Sequence, residues 1–215
     1  MNLLDTPVRD AAWAALDFES AGAAPGRSDE PVQVGMAVWR GGEMTDFFRS
    51  YVHSEVRITR SARAVHGIGD DDVRNAPTMT ALWPEFKARL AGAVVVAHGA
   101  GTEKRFLRAF PLHGFGPWLD TLVLSRAVLP ELGAHALGDV ASALGVEEEI
   151  RRFCGEADWH DALFDAVACL AILQRVIATC ASPDFTVGQL LAMDTQAYHR
   201  RRSLLQTARS AGWAT

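Results

Sequence analysis

The chain of 215 residues has few cysteines and no long apolar run. Its three cysteines, Cys154, Cys169 and Cys180, lack the spacing of metal ligands and cannot all pair with one another, so we expect the reducing cytoplasm. No apolar run approaches the length that crosses a membrane. The first ten residues, MNLLDTPVRD, lack the basic and apolar parts of a signal peptide, so we expect no membrane association.

The chain also lacks an excess of basic charge. Lysine and arginine number 21 against 26 aspartates and glutamates, which gives a formal net charge of −5 at pH 7. That balance argues against a protein that coats nucleic acid through bulk electrostatics. It is compatible with a nuclease, because metal ions can neutralise an acidic site locally. With 49% hydrophobic residues and no internal repeat, the chain is expected to bury one sizeable core.

The segment Trp13–Gly22 (WAALDFESAG) predicts an apolar strand that ends in two carboxylates. Side chains alternate along a strand, so Asp17 and Glu19 emerge on one face while Phe18 points to the opposite, packed side. A strand that simply runs out into solvent is the alternative explanation of one such pair. The meaning of the two acids therefore depends on the rest of the chain.

The remaining pattern predicts a β-hairpin followed by strands that alternate with helices. The hairpin strands are Val32–Arg40 and Met44–Val52, and the later strands are Ala93–Ala97 and Trp118–Leu119. The predicted helices are Pro77–Leu90, a segment with Phe106 and Leu107, a segment from Asp120, Ala136–Leu144 and Asp161–Cys180. A charged stretch runs to Asp158. This order predicts an α/β fold with a central five-stranded mixed sheet flanked by helices. We divide the chain into a lead-in (1–12), one domain (13–180) and a helical, basic tail (181–215).

Two further acids and a histidine lie near predicted helix starts. Glu103 is in the first turn of the helix after His98, and Asp165 is near the start of the long helix. Each acid has a local explanation, because a helix dipole stabilises carboxylates at its N-terminus. His160 precedes a helix that Asp161 is expected to cap. Taken singly, these residues indicate no chemistry.

Taken together, these residues resemble the DEDDh family of 3′–5′ exonucleases, which includes the proofreading subunit of bacterial replicative DNA polymerase, RNase T and oligoribonuclease. The family motifs D-x-E-T-T-G, A-H-N-A-x-F-D-x-x-F-L and H-x-A-x-x-D-A correspond to Asp17–Gly22, Ala97–Leu107 and His160–Ala166. Its signatures H-G-I, D-T-L and L-x-x-x-A-x-x-L-G-I correspond to His66–Ile68, Asp120–Leu122 and Leu137–Val146. The resemblance runs in unbroken order from Trp13 to Cys180 and implies an RNase H-like fold.

The resemblance implies a phosphodiester hydrolase that uses two divalent metal ions. Asp17, Glu19 and Asp165 would hold one ion, and Asp17 would be shared with a second ion that Glu103 supports. Oxygen ligands favour Mg²⁺ or Mn²⁺, and two ions about 3.5–4 Å apart can bind the attacking water and the leaving 3′-oxygen. His160 would take the proton from that water. The expected products are nucleoside 5′-monophosphates.

Substrate contacts and partners follow from the same resemblance. Ser20, His66, Ile68 and His98 are the candidate substrate-binding residues, with a buried turn as the alternative explanation for the middle two. The expected substrates are 3′ ends of single-stranded DNA or RNA, between which the sequence does not decide. The segment QLLAM at 189–193 is similar to a sliding-clamp peptide and suggests a polymerase or clamp partner, with an ordinary amphipathic helix as the alternative.

Five positions depart from the family pattern, and the first two are Ser20 and Ala21, which replace the usual pair of threonines. Gly99 replaces an asparagine, Thr102 an aromatic residue, and Glu103 an aspartate, whose extra methylene moves the carboxylate by about 1.5 Å. Two interpretations remain open. The loop at 99–101 accommodates the longer side chain in an active enzyme, or the chain is a catalytically decayed nucleic-acid-binding or polymerase-associated module. Retention of the other three acids and the histidine favours an active enzyme.

Overall fold

The computed structural model describes residues 2–180, 185–193 and 195–210. Within these ranges, five strands form one mixed sheet: β1 (Trp13–Ser20), β2 (Pro31–Arg40), β3 (Glu43–Tyr51), β4 (Val94–Ala97) and β5 (Trp118–Asp120). Their order is β3-β2-β1-β4-β5, with antiparallel pairs on the β3 side and parallel pairs on the β5 side. The predicted five-stranded mixed sheet is confirmed.

Helices cover both faces of this sheet. They are α1 (Arg60–His66), α2 (Asp70–Val73), α3 (Trp83–Leu90), α4 (Gly101–Phe106), α5 (Thr121–Val128), α6 (Leu137–Leu144), α7 (Glu147–Cys154), α8 (Ala162–Cys180), α9 (Val187–Leu191) and α10 (Gln196–Ser210), with short 3₁₀ turns at Leu3–Asp5 and Leu107–Ala109. The long helix α8 contacts β1, β2, β3 and β4, so it is the main support of one sheet face.

Alternation along β1 divides the apolar core into two layers. Trp13 and Ala15 pack against α6, α7 and α8, whereas Leu16 and Phe18 pack against α3 and α4. Phe18 stacks on Phe86, as expected for the packed side. By the same two-residue period, positions 17 and 19 continue the face that α8 covers. The fold therefore aims both acids of β1 toward α8.

A glycine on β2 lets α8 approach the sheet closely at this point. Gly35 pairs with Asp17 in the β1–β2 register. A Cβ added at Gly35 would lie 2.1 Å from the backbone carbonyl of Ala162 and 2.2 Å from the amide nitrogen of Leu163. Since no side chain fits at that distance, the first turn of α8 rests directly on the strand beside Asp17.

Two predicted elements differ from the structure. The helix predicted over Pro77–Leu90 begins only at Trp83, because Pro84 has no N–H to continue the helical hydrogen bonds toward the preceding turn. The charged stretch before Asp158 contains the helix α7, which places three glutamates in its first turn and two arginines in its last. That arrangement suits the helix dipole and leaves Ile150 as the buried anchor of α7.

The expectation about apolar runs also needs a correction. The window Ala162–Thr179 of α8 is long and apolar enough to cross a membrane, with a mean hydropathy of 1.7. However, 67% of this window is buried inside the protein. Its apolar character is therefore explained by its place in the core, between the sheet and helices α6 and α7.

The lead-in and the described part of the tail contact each other. Pro7 forms a β-bridge with Thr186, and the amide of Val8 donates to the carbonyl of Phe185 at 2.9 Å. Leu190 of α9 is 3% exposed and belongs to the same apolar core as α8. This burial supports the amphipathic-helix interpretation of the segment at 189–193. Residues 181–184, 194 and 211–215 of the predicted tail lie outside the described residues.

Candidate active site

The site is formed where the carboxyl end of β1 meets the start of α8. Side-chain ligand atoms of Glu19, His160 and Asp165 all lie within 4.8 Å of one another. Asp165 is only 8% exposed, whereas His160 is exposed in the turn that precedes α8. His160 has a φ of 67°, a left-handed conformation that is uncommon outside glycine. The structure thus joins residues that are more than 140 positions apart in the sequence.

Glu103 lies in the first turn of α4, the helix that follows β4, and its charge acts on Asp17 and Glu19. The loop before α4 is held by Asp120, whose carboxylate accepts from the amide of Gly99 at 2.9 Å and from that of Ala100 at 3.0 Å. Gly99 has a φ of +75°, a conformation that glycine and asparagine adopt readily, so the family's asparagine also suits it. A Cβ at Gly101 would meet nothing within 4 Å, so packing does not require that glycine.

The four acids share one electrostatic environment. Burial, followed by the charges of Asp165, Asp161 and Glu103, raises the pKa of Glu19 to about 8. The pKa of Asp17 rises well above its usual range, first through burial and then through the charges of Asp165 and Glu103. Burial also raises the pKa of Glu103 to about 7 and that of Asp165 to about 7. Four carboxyl groups are therefore close enough to resist ionising together.

Two carboxylate oxygens of this cluster lack a hydrogen-bond partner within the described residues. They are Oε2 of Glu103, a residue that is 4% exposed, and Oδ1 of Asp165. A buried acceptor without a partner is costly, and a carboxylate is the costliest kind. Divalent cations with hard oxygen ligands would satisfy both oxygens and offset the repulsion among the acids. The residues present therefore fit Mg²⁺ or Mn²⁺.

We expect Mn²⁺ to raise the melting temperature of the purified protein, and to raise it more at pH 8 than at pH 5. In the metal-free protein the raised pKa values let the folded state keep protons that the unfolded state releases near pH 4. This contribution to the free energy of unfolding is fully present below that pH and is lost as the pH rises through about 7 to 8. At pH 5 Mn²⁺ therefore has to displace these protons, whereas at pH 8 the acids are free to bind it. Scanning fluorimetry at both pH values measures the shift.

Two variants make this measurement specific to the acidic cluster. Asp165→Asn should shrink the Mn²⁺-induced shift because it removes a negative ligand. The matched control is Glu148→Gln, since Glu148 is an exposed acid in the first turn of α7. The control should keep the full shift. A melting temperature that does not respond to Mn²⁺ at pH 8 would contradict the metal site.

His66 and Ile68, two of the predicted substrate-binding residues, lie in the turn after α1. His66 has its Nε2 atom 3.1 Å from the carbonyl oxygen of Ser20, and its Nδ1 accepts from the amide of Ile68 at 3.1 Å. This pattern corresponds to a neutral ring, and burial lowers the pKa of His66 accordingly. Ile68 is 4% exposed and packs with Ala21 and Val32. Both residues brace the end of β1, and both border the cleft described below.

His98 directly follows the end of β4. Its Nε2 is 2.9 Å from the carbonyl oxygen of His135, and its Nδ1 is 3.0 Å from Oγ1 of Thr121. Burial lowers the pKa of His98. Both ring nitrogens are thus engaged by the protein itself. These contacts favour a role in tying β4 to α5, and substrate binding by His98 stays a prediction.

An open cleft of about 610 Å³ lies next to the site and is lined by His160, whose ring is within 4.8 Å of ligand atoms of Glu19 and Asp165; the four acids themselves do not line it. The turn at 66–68, His160 and Asp161 line this cleft. Gln33, Arg49 and Tyr51 also line it, and no sequence motif identifies these three residues. The available signal was their period, since positions 33 on β2 and 49 and 51 on β3 share the face that α8 covers.

The sequence matches the family described as Exonuclease over residues 14–173. Among curated proteins, it is 29% identical to the PolC-type DNA polymerase III of Thermotoga maritima over 178 residues, which cover 80% of this chain and 12% of that protein. The corresponding enzyme of Staphylococcus aureus is 28% identical over the same coverage. The chain therefore spans 12% of the length of these curated relatives.

Solved structures share the fold. Exonuclease X in complex with 5′-overhanging duplex DNA superposes with a TM-score of 0.69 at 20% identity, covering 84% of this chain and 98% of that one. The nuclease domain of 3′hExo, a DEDDh family member bound to rAMP, gives a TM-score of 0.65 at 17% identity, covering 82% and 96%. The predicted RNase H-like fold and the exonuclease family are confirmed: the chain belongs to the exonuclease family, whose model matches most of its length.

Proposed function

We propose that this chain is a metal-dependent 3′–5′ exonuclease that releases nucleoside 5′-monophosphates. The observation that carries the proposal is the set of four acids beside the exposed His160, in which the buried Glu103 and Asp165 each have a carboxylate oxygen without a protein partner among the described residues. Such a set is electrostatically costly in itself. Divalent cations would offset this repulsion, and the same cations would bind the phosphodiester of a substrate.

Each residue has a definite task in this reaction. Asp17, Glu19 and Asp165 would hold one divalent ion, and Glu103 would support a second. When bound, two ions would supply positive charge to the attacking water and to the leaving 3′-oxygen. His160, exposed at the mouth of the site, would accept the proton of the water as general base.

The proposed substrates are 3′ ends of single-stranded DNA or RNA. Support comes from structural neighbours on both nucleic acids, because Exonuclease X was solved with DNA and a related 3′-exonuclease is described as recognising the 3′ end of a histone mRNA stem-loop. The open cleft offers room for the last nucleotides of such an end, with Ser20, His66 and Ile68 as candidate contacts. The PolC-type relatives make association with a polymerase a further proposal, and the cytoplasm is the proposed compartment.

We expect the purified protein to shorten labelled oligonucleotides from the 3′ end in Mg²⁺ or Mn²⁺. The assay compares single-stranded DNA, RNA and dinucleotides that carry a 5′ label, with chelated enzyme as the blank. The 5′ label should run as a ladder of products that lose one nucleotide at a time, because an exonuclease cuts one terminal bond at a time, and chromatography should detect the unlabelled nucleoside 5′-monophosphates from the first time point. If every substrate stays intact with both metals, the proposal is wrong and a decayed nucleic-acid-binding module is the better description.

A further inference from the structure

We infer that Gln33, Arg49 and Asp161 form a clamp that positions His160 and Asp165 against the acids of β1. We call these three residues the α8 clamp. They are positioning residues, since they act through the turn and helix that carry the other two. The inference rests on the proposed nuclease function of the same site. It adds residues that the family motifs at the site do not include.

Gln33 links the sheet to the start of α8 with both ends of its side chain. Its Oε1 accepts from the amide of Ala162 at 2.8 Å, and its Nε2 donates to Oδ2 of Asp161 at 3.3 Å. Gln33 is only 4% exposed, and its bond to Ala162 is buried while its bond to Asp161 is partly buried beside the cleft. A buried amide whose donor and acceptor are both used fixes the position of its partners closely.

Asp161 connects this bond to the helix itself. Its Oδ1 accepts from the amides of Leu163 at 3.1 Å and Phe164 at 3.3 Å, as an N-cap residue does. Its Oδ2 also accepts from Arg49 at 2.8 Å. Asp161 directly follows His160, so fixing Asp161 also fixes the turn that presents the imidazole.

The strand register places the clamp beside the reacting groups. Gln33 is the direct partner of Glu19 across β1 and β2, and Gly35 is the partner of Asp17. Gly35 brings the α8 backbone against β2, and Gln33 then sets where along the strand the helix begins. The distance between the β1 acids and Asp165 therefore depends on a contact that spans 129 positions of sequence.

Arg49 has an electrostatic task within the clamp. Asp161 is a fifth carboxylate beside the cluster, since it lies between His160 and Asp165 and its backbone carbonyl accepts from the amide of Asp165 at 3.0 Å. The Arg49 guanidinium is half exposed and pairs with Asp161, whose side chain is 18% exposed. The ion pair offsets the extra negative charge, so Asp161 can cap α8 without further crowding the acids.

The first test is Gln33→Leu, which removes both hydrogen bonds at nearly constant volume. We expect kcat to fall about 10- to 100-fold with KM nearly unchanged, and Mn²⁺ affinity to weaken in the same range, as is typical for residues that orient metal ligands. Mn²⁺ affinity is measured without substrate by the paramagnetic resonance signal of the free ion. The matched control is Gln189→Leu, which removes a hydrogen bond that caps α9.

The second test exchanges donor and acceptor. Gln33→Glu keeps the acceptor for Ala162 but places a second carboxylate against Asp161, so kcat should fall. In the double variant Gln33→Glu with Asp161→Asn, the new amide can donate to the new carboxylate and its oxygen can still cap α8. Because the Asp161→Asn amide nitrogen can no longer accept from Arg49, we expect the double variant to recover part of the kcat and Mn²⁺ affinity relative to both single variants. A double-mutant cycle gives the coupling directly.

The outcomes separate the clamp from the function on which it rests. Parent-like kcat and Mn²⁺ affinity in Gln33→Leu would overturn the clamp while leaving the nuclease intact. If Gln33→Leu does not fold, strictly additive losses in the exchange cycle would overturn it instead. If the parent degrades no nucleic acid, the proposed function fails, and Mn²⁺ affinity alone decides the clamp: weakened binding supports it and unchanged binding overturns it.

Discussion

Replacing His160 by alanine is expected to lower kcat by about 10²- to 10⁴-fold, the usual contribution of a general base. The imidazole is exposed beside Glu19 and Asp165, with a ligand atom within 4.8 Å of each, so it can reach a water held by those acids. Because His160 lies in a turn before α8, the substitution removes no core packing. Steady-state rates on one 5′-labelled oligonucleotide measure the loss.

Two companion measurements make that result interpretable. Mn²⁺ affinity should change little if His160 is a base, whereas a metal ligand would lose affinity together with rate. Imidazole added to the buffer should restore part of the rate of His160→Ala, because the deletion leaves a space at the mouth of the cleft. The control is His113→Ala, since His113 precedes β5, which runs parallel to β4 and β1, and so lies at the opposite end of these strands from the site. Unchanged turnover in His160→Ala would remove this residue from the mechanism.

The parts of the site that the sequence predicts are those with a local pattern. The period-two alternation of β1 places Asp17 and Glu19 on one face and Phe18 on the other, and the structure has Phe18 packed against Phe86 and Phe106. A helix start is equally local, and the amides of Leu163 and Phe164 bond to the predicted cap. Such features depend on neighbours within a few positions, so one sequence contains enough information to find them.

The α8 clamp shows what local patterns miss. Gln33 lies 128 positions before Asp161, and neither residue carries a periodic or motif signal for their contact. The hydrogen bond between Gln33 and Asp161 can be predicted only once β2 is known to pair with β1 and α8 is known to pack against Gly35. The sequence does not predict the helix α7 for a different reason: its segment is mostly charged, and Ile150 is its one buried residue, so no apolar periodicity is visible. Its acids-first, arginines-last order was the signal that was available.

The position where this chain departs from its family gives the second large effect. Glu103→Asp is expected to lower activity about 100-fold, since it withdraws the carboxylate by about 1.5 Å from the place where Oε2 now lies without a protein partner. The loop before α4 is fixed by the two amide bonds to Asp120, so it resists following the shorter side chain. The backbone at Gly99 has a conformation that the family's asparagine can also adopt. The loop backbone therefore needs no change for glutamate, and the length of the Glu103 side chain sets where its carboxylate lies.

The test compares the exonuclease rates of the parent, Glu103→Asp and Glu103→Ala on one oligonucleotide at several Mg²⁺ concentrations. If Glu103 supports a cation, Glu103→Asp should recover part of its activity as Mg²⁺ rises, while Glu103→Ala should stay low because no carboxylate remains. If glutamate is instead a damaged form of the family's aspartate, Glu103→Asp will exceed the parent at every concentration, and accommodation is wrong. Equal activity of Glu103→Ala and the parent would assign the buried carboxylate to the dipole of α4 and leave catalysis to the other three acids and His160.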